Sequence, residues 1–311
     1  MTIQSPQQIL VIKLSALGDF VLSIASFQAI RAHHRAAEIT LLTTVPYRAM
    51  AEASGCFDRV WIDRRPAWWQ LGGWLALKRQ MTGGGFERVY DLQRSDRSGG
   101  YFRMLANPKP EWVGTVAGAS HRYVMPGGPA RHICDREADQ LALAGVPRPG
   151  LPDLSFLTAD LAPLDLPPHY ALLVPGGSAH RPGKRWPAER YAALARHLLD
   201  RGMTPLLLGA EAERAEIAAI ARVAPGARDL CGRTSLEALA ALGRGAGLAV
   251  GNDTGPMHLI AASGAPSLVL YSHDSDPAKI APRGARVETL RREVLAELSL
   301  EDVIAALPAG T

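Results

Sequence analysis

Short apolar runs recur along this chain, each followed by a loop and then by a longer stretch with helical spacing. The first, residues 9–12 (Ile9, Leu10, Val11, Ile12), leads through a loop at 13–19 into a helix expected over 21–34. Further runs stand at 39–42, 60–62 and 88–92, with a helical stretch at 69–80. A strand that is apolar at every position, rather than at alternate ones, must be covered on both faces. Strands of this kind alternating with helices predict an α/β fold on a parallel sheet with helices on each side.

The pattern is then repeated. Over 151–168 the periodicity lapses and prolines gather (Pro152, Pro163, Pro167, Pro168), as in an interdomain linker. Strands expected at 170–174, 204–208, 248–250 and 267–271 alternate with helices at 187–200, 211–222, 236–242 and 256–263. Ser299 and Asp302 have the spacing of a capping box that opens a last helix, 300–307. A chain of 311 residues exceeds what one core usually serves. The expected organisation is therefore two doubly wound, Rossmann-like domains, 1–165 and 166–311, with the last helix free to pack back on the first.

Composition narrows the class. With 47% hydrophobic and 21% charged residues the chain has enough apolar material for a real core. Lys and Arg exceed Asp and Glu by 34 to 30, an excess too small to predict nucleic-acid binding but compatible with small anionic ligands or an anionic membrane surface. Cys56, Cys134 and Cys231 are far apart and form no C-x-x-C pattern, which argues against a zinc site or a disulfide framework and for a reducing cytoplasm. The polar start and the interruption of the next apolar stretch by Lys13, Asp19 and Gln28 argue against a signal peptide or membrane span. Any membrane contact would be peripheral.

Three segments carry candidate chemistry. Gly251-Asn252-Asp253-Thr254-Gly255-Pro256-Met257-His258 follows a strand and opens a helix. Pro256 suits a first helical turn, and the helix start would offer free N–H groups and a positive dipole end to a diphosphate. The commoner use of Asp253 or Thr254 would be as a plain N-cap. Pro175-Gly176-Gly177-Ser178, also after a strand, leads to Lys184-Arg185-Trp186-Pro187 and reads as a second phosphate clamp with Lys184 as a point charge. Both loops sit at strand carboxyl ends, where open α/β sheets bind ligands. In the third segment, Ser15 to Asp19, the carboxylate is either a first-turn charge that complements the helix dipole or a general base facing the cleft.

Other features point less far. Glu211, Glu213 and Glu216 open a helix, and one of them could accept ribose hydroxyls. Asp274-Ser275-Asp276 has the bare spacing of a metal-diphosphate motif without the right placement, so metal-independent chemistry is expected. Trp68, Trp69 and Trp74 are expected in the core rather than at a membrane interface. Arg59, Arg64, Arg65, Arg94, Arg97 and Arg103 could form a basic face on the first half.

In these segments the chain resembles the bacterial ADP-heptose:lipopolysaccharide heptosyltransferases, glycosyltransferase family 9, over nearly its whole length. The resemblance rests on Ile12-Lys13-Leu14-Ser15-Ala16-Leu17-Gly18-Asp19, on Lys184-Arg185-Trp186-Pro187, and on Cys231-Gly232-Arg233-Thr234-Ser235-Leu236 followed by the 251–258 segment. It implies a GT-B fold, two Rossmann-like domains facing across a cleft, with the acceptor mainly on the first and the nucleotide sugar mainly on the second. It also implies inversion at the anomeric carbon, Asp19 as base, Lys184 as a donor-phosphate contact, and Glu211, or Glu213 if the alignment slips, on ribose. Asp253 would meet a sugar hydroxyl, Thr254 and Gly255 the phosphate, with His258 one turn along and Ser178 in the clamp.

The chain departs from the family pattern at Ser272-His273-Asp274-Ser275-Asp276-Pro277, where relatives carry a Gly-Pro-Thr-like turn. The implied donor is ADP-heptose, as substrate and without a resident cofactor. The implied acceptor is a lipid-linked or core oligosaccharide, reached at the cytoplasmic face of the inner membrane, and no nucleic acid is involved. Two other readings suit the same fold: a nucleotide-sugar epimerase or hydrolase, and a non-catalytic sugar-nucleotide-binding protein. A binding module would have no chemical need for Asp19.

Overall fold

The computed structural model describes residues 6–105, 107–177 and 180–309. The chain divides into two compact units, Met1–Gly150 and Leu151–Thr311. In the first, strands β1 (Gln8–Ile12), β2 (Glu38–Thr43), β3 (Arg59–Ile62), β4 (Arg88–Asp91), β5 (Glu111–Gly114) and β6 (His121–Arg122) alternate with helices α1 (Leu17–Leu22), α2 (Ile24–His33), α3 (Arg48–Ala53), α4 (Leu71–Gly83), α5 (Asp96–Met104) and α6 (Ile133–Ala142). The second unit has β7 (Tyr170–Val174), β8 (Thr204–Leu207), β9 (Arg228–Asp229), β10 (Leu248–Asn252), β11 (Ser267–Tyr271) and β12 (Val287–Arg291). Its helices are α7 (Ala188–Asp200), α8 (Arg214–Val223), α9 (Leu236–Gly245), α10 (Gly255–Ala262), α11 (Pro277–Ile280) and α12 (Leu300–Ala305).

Among the described residues the strands form two six-stranded sheets, ordered β3-β2-β1-β4-β5-β6 and β12-β11-β10-β7-β8-β9. The pairings are parallel. Counted within each unit this is one order, 3-2-1-4-5-6, the doubly wound Rossmann arrangement. The strand order reverses between β1 and β4 and between β7 and β10, so each sheet has a crevice beyond the carboxyl ends of those strands.

The uninterrupted apolar runs are the central strands. Ile9, Leu10, Val11 and Ile12 are all buried, as are Leu172, Leu173, Ala249 and Val250. In the first unit Leu10, Ile12, Leu42 and Val89 pack with Leu77 and Met81 of α4 and Tyr101 and Phe102 of α5. In the second, Ala171, Leu173, Leu207, Val250 and Leu268 pack under Tyr191, Leu194 and Leu198 of α7, Ile217 and Ile220 of α8, and Val303 of α12. The last helix, which the sequence allowed to pack on the first domain, thus lies on α7 of its own unit. Ser299 and Asp302 form the expected capping box.

Several elements differ from expectation. The helix expected over 21–34 starts earlier, at Leu17, and is broken at Ser23, so Asp19 sits in the first turn of α1 rather than in a loop. Residues 211–222 open with a 3-10 turn, Glu211–Glu213, before α8 begins. Residues 151–165 belong to the second unit: Leu154 and Leu157 are buried, and their carbonyls accept from Arg244. Trp68 and Trp69 are not core residues but stand in solvent, and Trp74 is only partly buried against the core. Beyond the loop that carries Trp68 and Trp69, α4 turns its apolar face, Leu77 and Met81, inward.

Candidate functional site

The site in the second unit begins where β7 and β10 leave the sheet side by side, with Val250 opposite Leu173 and Gly251 opposite Val174. A cavity of about 560 Å³ opens there, lined by Gly176 and Gly177 after β7, Gly209 to Glu211 and Glu213 after β8, and Asp253, Thr254, Gly255 and Pro256 at the start of α10. A Cβ at Gly176 would stand 2.9 Å from Cγ of Glu213, so a larger residue there would have to displace that side chain.

The loops are held by a residue to which the sequence alone assigned no role. Asn252 is fully buried at the end of β10. Its Nδ2 donates to the carbonyls of Pro175 (2.6 Å) and Gly176 (3.1 Å), and its Oδ1 accepts from the Trp186 N–H (3.1 Å) and the Tyr191 hydroxyl (3.0 Å). Every bonding position of one amide is used to join the two clamp loops. A polar residue closing an apolar strand was the signal in the sequence.

Asp253 is not an N-cap. Its Oδ2 accepts from Lys184 Nζ at 2.7 Å and from Ser275 Oγ at 2.7 Å, and Nε2 of the buried His258 lies 3.8 Å from Oδ1. Burial alone would raise the carboxyl pKa, but the His258 ring, the Lys184 ammonium and the Ser275 hydroxyl outweigh it and hold it at about 2. Asp253 is therefore ionised at any working pH. Ser275 comes from the segment that departs from the family pattern, and it completes this cluster. In that segment Asp276 caps α11 through the Ala278 N–H and Asp274 faces His273, so the two carboxylates serve separate contacts.

Thr254 precedes α10, but its side chain makes no capping bond. Pro256 has no N–H and no side chain caps the helix start, so the first turn leaves the Gly255 N–H uncapped at the cavity, together with the helix dipole. Thr254 Oγ1 and His258 Nδ1 are buried without a hydrogen-bond partner among the described residues. Unpaired buried polar atoms are costly, and Thr254 bears one on the residue that borders the cavity.

The remaining expected residues divide. Glu211 lines the cavity with an exposed carboxylate held by Arg214 through two bonds of 2.6 Å, which lower its pKa. Glu213 also lines it, but its carboxylate accepts from the Ala210 N–H at 2.9 Å and closes the 3-10 turn. Lys184 and His258 do not line the cavity; they stand behind Asp253. Ser178 lies outside the described residues.

In the first unit the loop after β1 stands at the equivalent place in the sheet order. Gln93, beyond β4, accepts from the N–H groups of Leu14 (2.7 Å) and Ser15 (3.3 Å), and Thr44 Oγ1 donates to the Leu14 carbonyl. This fixes the loop that delivers Asp19 to the first turn of α1. The Asp19 carbonyl accepts from both N–H and Oγ of Ser23, and Ser23 Oγ lies 2.7 Å from the fully buried Glu137. Glu137 also takes bonds from Lys13 (3.2 Å) and Ser26 (2.8 Å), with Arg94 at 3.6 Å. Burial opposes its charge, but the Lys13 and Arg94 charges and the serine hydroxyls hold its pKa below the usual value. The phenol of Tyr47, raised chiefly by burial, lies within the fields of both Arg65 and Asp19.

Three of the six arginines of the basic face expected on this half are paired with carboxylates. Arg59 pairs with Glu38, Arg94 with Glu137 and Arg97 with Asp63. Among the described residues no group of three or more His, Cys, Asp or Glu side chains is placed to hold a metal.

Two Rossmann sheets of one order, with an uncapped helix start over a nucleotide-sized cavity in the second, form the architecture of the two-domain glycosyltransferases. More narrowly, the chain belongs to glycosyltransferase family 9, the heptosyltransferases, whose family model matches residues 74–305. The lipopolysaccharide core heptosyltransferase OpsX of Haemophilus influenzae is 22% identical over 297 residues, 90% of this chain and 82% of that protein. The glycosyl transferase family 9 structure from Veillonella parvula superposes with a TM-score of 0.81 at 21% identity, over 98% of this chain and 97% of that one. Escherichia coli heptosyltransferase WaaC, solved with ADP, superposes with a TM-score of 0.76 at 21% identity, over 96% and 98%.

Proposed function

We propose that this glycosyltransferase moves a heptose from ADP-heptose to a hydroxyl of the lipopolysaccharide core or a related glycan, with inversion at the anomeric carbon. The observation that carries the reading is the cavity at the uncapped start of α10, bordered by the ionised Asp253 and by Glu211. The ADP in the WaaC structure supports the choice of nucleotide.

In this reading the diphosphate lies against the N–H groups of Thr254 and Gly255 at the positive end of α10. Glu211 accepts ribose hydroxyls, and Asp253, held by Lys184 and backed by His258, accepts a sugar hydroxyl. Asp19 removes the proton of the acceptor hydroxyl as its oxygen attacks the anomeric carbon. The bond from that carbon to the β-phosphate oxygen breaks, and ADP leaves with the electron pair. Fixed N–H groups at the developing charge typically contribute a hundredfold or more in rate. The reading places the enzyme at the cytoplasmic face of the inner membrane and assigns it no resident metal, so transfer should survive EDTA.

ADP release is the test. Asp19→Ala is expected to bind ADP-heptose as wild type does and to lose transfer by roughly two to four orders of magnitude. Equal ADP release by Asp19→Ala and wild type would remove the assigned base, and rapid ADP release without acceptor would point to a hydrolase.

A further inference from the structure

The segment from the end of β3 to the end of α4 is unlike the rest of the chain in charge. Residues 64–86 contain Arg64, Arg65, Lys78 and Arg79 and no acidic residue, an excess equal to the +4 of the entire chain. The same segment exposes large apolar side chains: Trp68 is 81% exposed, Trp69 65%, Leu71 70% and Leu75 54%. The two indoles meet edge to face at 5.5 Å. Leu71, Leu75 and Arg79 follow one another at four-residue spacing on the outer face of α4, with Lys78 alongside, while Leu77 and Met81 face the core.

This exposure is built rather than accidental. The buried carboxylate of Asp63 accepts from the Arg65 N–H at 2.7 Å and from Arg97 at 3.0 and 3.1 Å, and it also pairs with the Tyr101 hydroxyl. Arg97 reaches the Pro66 carbonyl and lies over the Trp74 ring, whose Nε1 donates to the Ala67 carbonyl at 3.0 Å. The Ala67 N–H is taken by Gln70, and Arg65 donates to Ser15 Oγ at 3.2 Å. A network with a buried ion pair thus fixes the loop from which Trp68 and Trp69 project into water.

A surface that matches this edge must supply an apolar medium and negative charge within a few ångströms of each other. An anionic lipid bilayer does so: indoles favour its headgroup boundary, and nearby Lys and Arg gain from its surface potential. A second copy of the chain fits poorly, because a two-fold contact would oppose two cationic faces. No helix among the described residues is long and apolar enough to cross a membrane, so attachment here would be at the surface.

We infer that residues 64–79 form a docking edge for an anionic bilayer, with Trp68, Trp69, Leu71 and Leu75 entering the headgroup boundary and Arg64, Lys78 and Arg79 at the lipid phosphates. The edge gives a surface to the membrane location in the proposed function, but it is argued from the first unit alone.

Vesicle co-sedimentation of the full chain tests it, without donor or acceptor, using phosphatidylcholine vesicles with and without phosphatidylglycerol. Wild type is expected to bind the anionic vesicles, with a blue shift of tryptophan emission, and to release in high salt. Lys78→Gln/Arg79→Gln should weaken partition about 25-fold, since each such cation is worth roughly fivefold. Trp68→Ser/Trp69→Ser should abolish the blue shift and most of the binding, and both exposed-site variants should retain wild-type ADP affinity. Equal binding to neutral and anionic vesicles, or variants that bind like wild type, would overturn the inference, as would a dimer that the tryptophan variant abolishes while vesicle binding is absent. Wild type that docks on anionic vesicles yet releases no ADP from ADP-heptose with acceptor would leave the edge standing and sink the transferase reading instead.

Discussion

Lys184 Nζ lies 2.7 Å from Asp253 Oδ2, and the two side chains are only 11% and 6% exposed. The lysine that the family resemblance makes a donor-phosphate contact is also the counter-charge of the carboxylate beside the cavity.

Removing one member of a buried pair leaves the other uncompensated. Lys184→Met is therefore expected to destabilise the ligand-free protein by about 3–5 kcal/mol, read from urea unfolding. A lysine that acted only on donor phosphate would leave ligand-free stability unchanged.

Asp253 also makes stability depend on acid. Its folded pKa of about 2 lies below the ordinary value of 3.8, so its contribution is complete above that value and is lost as pH falls through about 2. The loss is roughly 2 kcal/mol over that window. Ser275→Ala removes one of the bonds that hold the carboxylate ionised, and it should move the acid transition to higher pH in a circular-dichroism titration.

Asn252→Leu breaks four bonds at once and leaves the Pro175 and Gly176 carbonyls and the Trp186 N–H without their partner. A cost of roughly 3 kcal/mol or more is expected, with weaker ADP binding by calorimetry because Gly176 and Gly177 line the cavity. Undiminished ADP affinity in a folded Asn252→Leu protein would show that the loop needs no such anchor.

Glu137→Gln tests the support beneath Asp19. Gln cannot balance Lys13 and Arg94, so the first unit should lose about 3–5 kcal/mol, and transfer should fall with little change in ADP affinity. A parallel loss of ADP affinity would contradict a role confined to the first unit.

The arrangement of strands and helices was legible because parallel strands are apolar at every position and so mark themselves. Residues 9–12, 170–174 and 267–271 fell where the strands are, and Ser299 with Asp302 announced the last helix. The site loops were legible for a related reason: Gly176, Gly177 and the Asp253-to-Pro256 run follow strands, and an open α/β sheet leaves only its carboxyl edge for a ligand.

What the residues could not show is which partner each polar side chain meets across the fold. Asn252 is one more polar residue of the 251–258 segment until Pro175, Trp186 and Tyr191 are brought around it. Lys184 and Asp253 are 69 positions apart, and only the meeting of the end of β10 with the loop before α7 makes them a pair. Trp68 and Trp69 read as core because indoles usually are, yet burial is a property of position, and the Asp63–Arg97–Tyr101 network holds that loop outside. Local pattern follows from backbone geometry and the periodicity of apolar side chains, whereas the partners of buried charges depend on which distant elements each sheet brings together within its own unit.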